Sequence, residues 1–460
     1  MEIMKEEINE LRKSGDLKDY FELVKIPSVG ADPVHLKDCV ATAMWWKRWL
    51  GAIGAEAQLV LPPTHPIPVV FATIPGGEGA PTLLVYGHYD VQPVEPLDAW
   101  KTPPFEPTEI DGRVYARGAQ DDKGQSFAFL CGVRDALAAF PAGKRPAVKI
   151  VLEGQEESGS AGLSELLATA EFRRRVGADA LLVCDTSAAT ELRPAIVAGL
   201  RGVAHLTVRL TGPNRDLHSG EYGGVAPNPA QAIAELVASL HNADGSIAVA
   251  GFADGILPPS PQELALAEAG APTDDQYRAD IGCEPCGGEA ALPAVRRNSF
   301  EPTIEVNGIH SGYGGAGSKT VIPSEAIAKL SMRLVPGQNA AQATAALKAH
   351  LEAHVPRGMT LVLEDVNEGA GGFRLPIDSP VFRLAQDELA RMDARGPVFQ
   401  WDGASIPVVS LLKDASGAAP LIVGWGQAED RIHSPNESYS LEQFALAKEW
   451  GRRIVAAFAE

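Results

Sequence analysis

Three short apolar runs, at 83–86, 148–152 and 180–183, each stop at side chains able to hold a proton or a cation. His88 and Asp90 follow the first, Glu153, Glu156 and Glu157 the second, and Asp185 the third. Runs of this length without polar alternation mark strands buried on both faces. The stretch between the first two, 126–140, has the alanine and leucine content of a helix. Doubly covered strands joined by helices build a mainly parallel α/β sheet, whose ligands collect at the strands' carboxyl ends.

From Gly199 the character changes. Ala204, Leu206, Val208 and Leu210 alternate with mostly polar positions, as in a strand covered on one face only. A helix is expected at 229–241, then a long irregular insert to about 299, strands at 303–306 and 326–334, a helix at 340–355 and a strand at 359–364. Without the insert the order is β-α-β-β-α-β, the split motif of a small two-layer α+β domain. From about 376 the idiom of the first domain returns, with a helix at 381–391, apolar runs at 406–412 and 421–423 and a closing helix at 441–458. The expected organisation is a discontinuous α/β/α domain, 1–200 plus 376–460, with a smaller domain, 201–375, inserted into it. At 460 residues the chain has apolar content for both. Trp45, Trp46 and Trp49, at helical spacing, are expected in the core.

Composition excludes several partners. Forty basic against 59 acidic residues give a formal charge of −19, which repels a phosphate backbone, so no nucleic-acid partner is expected. The N-terminus is charged from Glu2 onward, and no run of about eighteen apolar residues is present to cross a bilayer. No membrane association and a cytoplasmic location are expected. Five scattered cysteines form no disulfide framework. Cys283 and Cys286 make a C-x-x-C without the second pair that a structural zinc site needs, and no role is assigned to them. Gly314 to Thr320 imitates a phosphate loop but has Ser318 between glycine and lysine.

The chemistry lies in the residues that close the strands. His88 and Asp90, two apart on extended chain, point to one side, so Asp90 holds one imidazole nitrogen while the other faces a metal. Asp121 and Asp122 stand together before a helix and are equal candidates on spacing alone. His88, one aspartate of that pair, Glu157, Asp185 and the late His433 make a set of two imidazoles and three carboxylates. Such a set suits two zinc-like ions if one carboxylate bridges, and mixed nitrogen and oxygen donors accept manganese or cobalt as well. Glu156, beside a ligand, is the spare carboxylate for proton transfer.

The segments GHYDVQP, ARGAQDDKG, EGQEESGS, CDT, DLHSG and HSPNE, in this order along essentially the whole chain, resemble the co-catalytic metallopeptidases. That family includes carnosinase, cytosolic non-specific dipeptidase, glutamate carboxypeptidase, aminoacylase and succinyl-diaminopimelate desuccinylase, and WKTPPFEP with the long insert is most similar to the dipeptidase branch. The resemblance implies that His88 and Asp185 bind one ion, Glu157 and His433 the other, and that Asp121 bridges across a cis Asp121–Asp122 peptide. It makes Asp90 the orienter of His88 and Glu156 the general base. It implies a homodimer in which His218 reaches the partner subunit's centre and steadies the oxyanion, and it gives Arg333, Thr320 and Ser405 to the substrate's carboxyl end, with the inserted domain as lid and dimerisation surface. Where such proteins often carry a histidine before a glycine pair, this chain has Glu368-Gly369-Ala370-Gly371-Gly372, which leaves the grip on that end open. Hydrolysis of dipeptides is the expected activity. An N-acyl-amino-acid deacylase or desuccinylase on the same centre, and a non-catalytic metal-dependent binding protein, are the alternatives.

Overall fold

The computed structural model describes residues 2–141, 143–403 and 406–459, so Ser405 lies outside the described residues. It divides into two compact units, Met1–Ala198 with Leu375–Phe399 and Leu411–Glu460, and Gly199–Arg374 with Gln400–Ser410.

In the first unit a twisted sheet runs in the order Glu56–Val60, Val69–Ile74, Ala147–Glu153, Thr82–His88, Ala180–Val183, Ala419–Ile422, Ala195–Leu200. Its centre is parallel: Thr82–His88 pairs in parallel with both Ala147–Glu153 and Ala180–Val183, and Ala419–Ile422 with Ala180–Val183. These are the three apolar runs of the sequence plus a fourth contributed from near the C-terminus. They align so that His88 and Glu153 are register partners at one carboxyl edge. The helix Lys123–Ala139 packs on Thr82–His88 and along Leu441–Ala457, which brings the late part of the chain against the early part. Trp45, Trp46 and Trp49 of the helix Leu36–Ala52 surround Phe127, with ring centroids 5.1 to 6.0 Å from it, and are core residues as expected.

The second unit carries the expected β-α-β-β-α-β order. Its four-stranded antiparallel sheet runs Thr303–Ser311, Glu325–Leu334, Gly202–Thr211, Thr360–Ala370. Leu206, Val208 and Leu210 turn one face of the sheet onto the helices Pro229–Ala238 and Ala340–Ala353, and the alternating positions face away. Two expectations are corrected. The insert is not irregular: it holds the helices Pro261–Gly270, Asp274–Ile281 and Ala294–Phe300. The first two start on reciprocal caps, Ser260 with Glu263 and Thr273 with Gln276, and bury almost no side chain, so they lack the apolar stripe that sequence periodicity detects. The segment 400–410, expected with the first unit, belongs with the second. There Trp401 packs on Phe300 at 5.4 Å, and Arg201 Nε donates to the Gly403 carbonyl at 2.9 Å. The apolar run at 406–412 lies in the helix Pro407–Ser416.

One buried ion cluster ties three helices of the first unit. Asp16, 3 % exposed, accepts from Arg134 Nη1 at 2.7 Å, Arg134 Nη2 at 3.1 Å and Lys448 Nζ at 2.6 Å. Burial raises the Asp16 carboxyl, but the Arg134 and Lys448 contacts outweigh it and hold it below the ordinary value. The stabilisation is therefore complete above the unfolded carboxylate pKa and disappears as pH falls through the lower folded value. Asp16→Asn is expected to cost about 3 kcal/mol at pH 7 in urea unfolding, with the difference from wild type shrinking below about pH 4.

Candidate metal centre

His88 ends the central strand and is buried. Gly87 before it admits no side chain, since a Cβ there would stand 1.9 Å from Ser126 Oγ on the helix Lys123–Ala139. Asp90 then organises two segments. Its Oδ1 accepts from the Glu156 N–H and its Oδ2 from the Glu157 N–H, each at 3.1 Å, so its carboxylate fixes the turn Glu156–Ser158. His88 Nδ1 lies 3.1 Å from the Asp90 carbonyl oxygen and 3.4 Å from its Oδ1. A carbonyl oxygen only accepts, so Nδ1 carries the proton and the lone pair of His88 is at Nε2.

That nitrogen faces Asp121 Oδ1 at 3.2 Å and Asp185 Oδ2 at 3.7 Å. The second Asp121 oxygen is 2.9 Å from His433 Nε2, which is in turn 3.3 Å from Glu157 Oε2. One carboxylate thus spans two imidazoles, with Asp185 beside the first and Glu157 beside the second. Asp122, across a cis peptide, is differently engaged: its Oδ2 accepts from the His88 N–H at 3.2 Å and from the Ser126 hydroxyl. Its Oδ1 is buried without a hydrogen-bond partner near His88 and Asp185.

A residue not singled out in the sequence holds this arrangement. Glu437, fully buried, accepts on Oε2 from Arg117 Nη1 at 2.8 Å and the Gly118 N–H at 3.0 Å, and on Oε1 from the N–H groups of Gln120 at 3.0 Å and Asp121 at 3.1 Å. It locks the loop bearing Asp121 to the loop bearing His433. Its one sequence signal is its place four residues after His433 in HSPNE.

Burial and crowding shift the ionisation of these groups. Burial pushes Asp185 up to about 7, and the Asp121 and Glu157 charges push the same way. Burial also drives Glu156 well above its ordinary value. Burial would lower His88, but hydrogen bonding to Asp121 and Asp90 carries it well above the usual range. His433 rises to about 10 through its contacts with Asp121 and Glu157. Imidazole nitrogens and carboxylate oxygens converge here, an arrangement that a cation between them would stabilise. The donor chemistry suits divalent cations: among the described residues His88, Asp122 and Asp185 form one group able to hold an ion, and Asp121, Glu157 and His433 form another.

In the second unit, His218 pairs with Val321 across the strands Leu217–His218 and Val321–Ile322. Its Nδ1 accepts the Gly220 N–H at 3.0 Å, so the neutral ring bears its proton on Nε2, 3.3 Å from Thr320 Oγ1. Arg333 lies near the end of Glu325–Leu334, half-buried and within the field of Asp402.

The sequence profile of peptidase family M20/M25/M40 matches residues 84–457, a span that contains every residue of this centre. The chain belongs to this family. Among M20 relatives it is 28 % identical to the human Beta-Ala-His dipeptidase over 85 % of this chain and 76 % of that protein. It is also 28 % identical to a Cys-Gly metallodipeptidase of Schizosaccharomyces pombe, over 92 % of this chain and 90 % of the relative. The crystal structure of an M20 metallo-carboxypeptidase from Sulfolobus solfataricus superposes with a TM-score of 0.86 at 27 % identity, covering 97 % of this chain and 99 % of that one.

Glu437→Gln keeps the shape of the side chain but removes its charge from beneath Asp121. It is expected to weaken divalent-cation binding by about 10–100-fold in competition titrations against a chromophoric chelator, with an unchanged far-ultraviolet circular dichroism spectrum.

Proposed function

We propose that this M20 chain hydrolyses the peptide bond of dipeptides at a two-cation centre, with Zn as the native metal. The observation that carries the reading is the Asp121 carboxylate lying between Nε2 of His88 and Nε2 of His433, with Asp185 and Glu157 flanking it. The names of the M20 relatives, dipeptidases of two kinds, support the substrate class.

In this reading each residue of the centre has a role. His88 and Asp185 would hold one cation, His433 and Glu157 the other, and Asp121 both. Bound there, the pair supplies Lewis acidity that makes a water acidic near neutral pH and polarises a carbonyl. Glu156 takes the proton from the attacking water and returns it to the departing amine. Its burial raises its proton affinity, which suits a base working near neutrality. Asp90 sets both the tautomer of His88 and the position of Glu156 through its hydrogen bonds. His218, from a second copy of the chain, presents its Nε2–H to the developing oxyanion. Arg333, with Thr320 and Ser405, takes the substrate's free carboxylate, for which a planar guanidinium is suited. A homodimer agrees with the edge strand Thr303–Ser311, whose Val306 and Ile309 are exposed. A cytoplasmic location agrees with the composition.

Three measurements test the reading. Protein stripped of metal is expected to be inactive on a panel of dipeptides and to recover with Zn, Mn or Co. N-acetyl and N-succinyl amino acids are expected to be cut far more slowly than free dipeptides, and the reverse order would favour the deacylase. Glu156→Ala is expected to retain cation stoichiometry while losing about 10²–10⁴-fold in kcat. Retained turnover would remove Glu156 as the base.

A further inference from the structure

The second unit contains a cavity of about 800 Å³, of which the function proposed above uses only Arg333. Three guanidinium groups line it: Arg201, Arg297 and Arg333. Arg201 is 9 % exposed and donates to the carbonyls of Gly403 at 2.9 Å and Glu301 at 3.3 Å and to Asn298 Oδ1 at 3.4 Å. Among the described residues it makes no ion pair with a carboxylate. Burial, and next the charge of Arg333, depress it to about 10, while Asp402 and Glu305 act on it only through their field. Arg297 likewise spends its terminal nitrogens on carbonyls, those of Pro285 and Gly287, and its Nε is buried without a partner.

Of the wall carboxylates, Glu301 is held by Arg296 at 3.0 Å, Glu289 is half-buried and makes no ion pair with Arg201, and Glu305 stands exposed on the edge strand. Burying a guanidinium without a counter-charge costs several kcal/mol, and pointing a second one at the same space adds repulsion. Arg201 keeps two of its five N–H donors after its three contacts. The space is also larger than a glycine or alanine residue requires.

We propose that this cavity takes the C-terminal residue of the substrate and that Arg201 makes it selective for a second carboxylate, that of a C-terminal aspartate or glutamate. The proposal rests on the dipeptidase reading, with Arg333 on the main-chain carboxylate and Arg201 as the specificity residue for the side chain.

The test compares the isosteric substrates Ala-Glu and Ala-Gln on metal-loaded protein. Wild type is expected to favour Ala-Glu in kcat/KM by about 10–100-fold, the range of a buried charge-assisted hydrogen bond. Arg201→Met is expected to abolish the preference, with a larger loss in kcat/KM on Ala-Glu than on Ala-Gln, and Arg201→Lys to keep part of it. Equal losses on both substrates would reduce Arg201 to a support for Gly403 and overturn the proposal. So would a wild type that does not discriminate. Calorimetric binding of free L-glutamate against L-glutamine to the same proteins reads the cavity without turnover. If neither dipeptide is cut but glutamate binds selectively through Arg201, the hydrolase reading fails and the carboxylate-selective cavity stands. Loss of selectivity in both assays removes the cavity claim alone.

Discussion

The carboxylate of Glu437 sits in the interior with four N–H donors around it, and that single group decides where the chain's two distant halves meet. Its partners at 117–121 lie more than three hundred residues earlier. Each oxygen is satisfied twice, so the buried charge is balanced locally by Arg117 and by three backbone dipoles. The loop from Gly118 to Asp121 has no regular secondary structure of its own to hold it. With Glu437 in place its backbone is fixed, and Asp121 is presented with both oxygens outward.

Around this support the fold concentrates negative charge to a degree that its own cations do not offset. Asp121, Asp122, Glu156, Glu157 and Asp185 stand with only two imidazoles, at a largely buried edge of the sheet. In such a medium the amino acids alone have one remedy, to take up protons, and the raised values of Asp185, His88 and His433 express it. Divalent cations satisfy the same demand with more charge in the same volume. The dense packing beneath, with Gly87 against Ser126 and the tryptophan cluster around Phe127, keeps the donors from moving apart to relieve the repulsion.

Much of this could be read in advance because it is local. Short apolar runs that stop at His88, Glu153 and Asp185 predict a parallel sheet and a reactive edge, since strand burial and strand ends are both encoded in consecutive residues. The alternation of Leu206, Val208 and Leu210 similarly marks the second unit. Spacing could not separate Asp121 from Asp122, because the difference lies in partners far along the chain, His433 for one and Ser126 with the His88 amide for the other. Glu437 was invisible for the same reason. The helices of the insert were missed although Ser260 to Glu263 and Thr273 to Gln276 both spell a capping box, because attention to apolar stripes overlooks helices that bury little. The segment 400–410 was misplaced because what commits it, Trp401 on Phe300 and the Arg201 bond to Gly403, is tertiary.

His88 and His218, each taken as the neutral ring, show how the backbone sets chemistry without changing the side chain. At His88 the main-chain partner is a carbonyl oxygen, so the proton is held at Nδ1 and the outward nitrogen offers a lone pair. At His218 the main-chain partner is an N–H, so Nδ1 gives up its lone pair and the outward nitrogen offers a proton. The first arrangement suits a cation and rejects an oxyanion; the second does the opposite. Exchange of the local turns would leave both imidazoles in the protein yet reverse what each presents. In the proposed reading the division of labour between holding cations and steadying a negative oxygen is therefore written in which backbone group each ring meets, and only secondarily in the choice of histidine at either place.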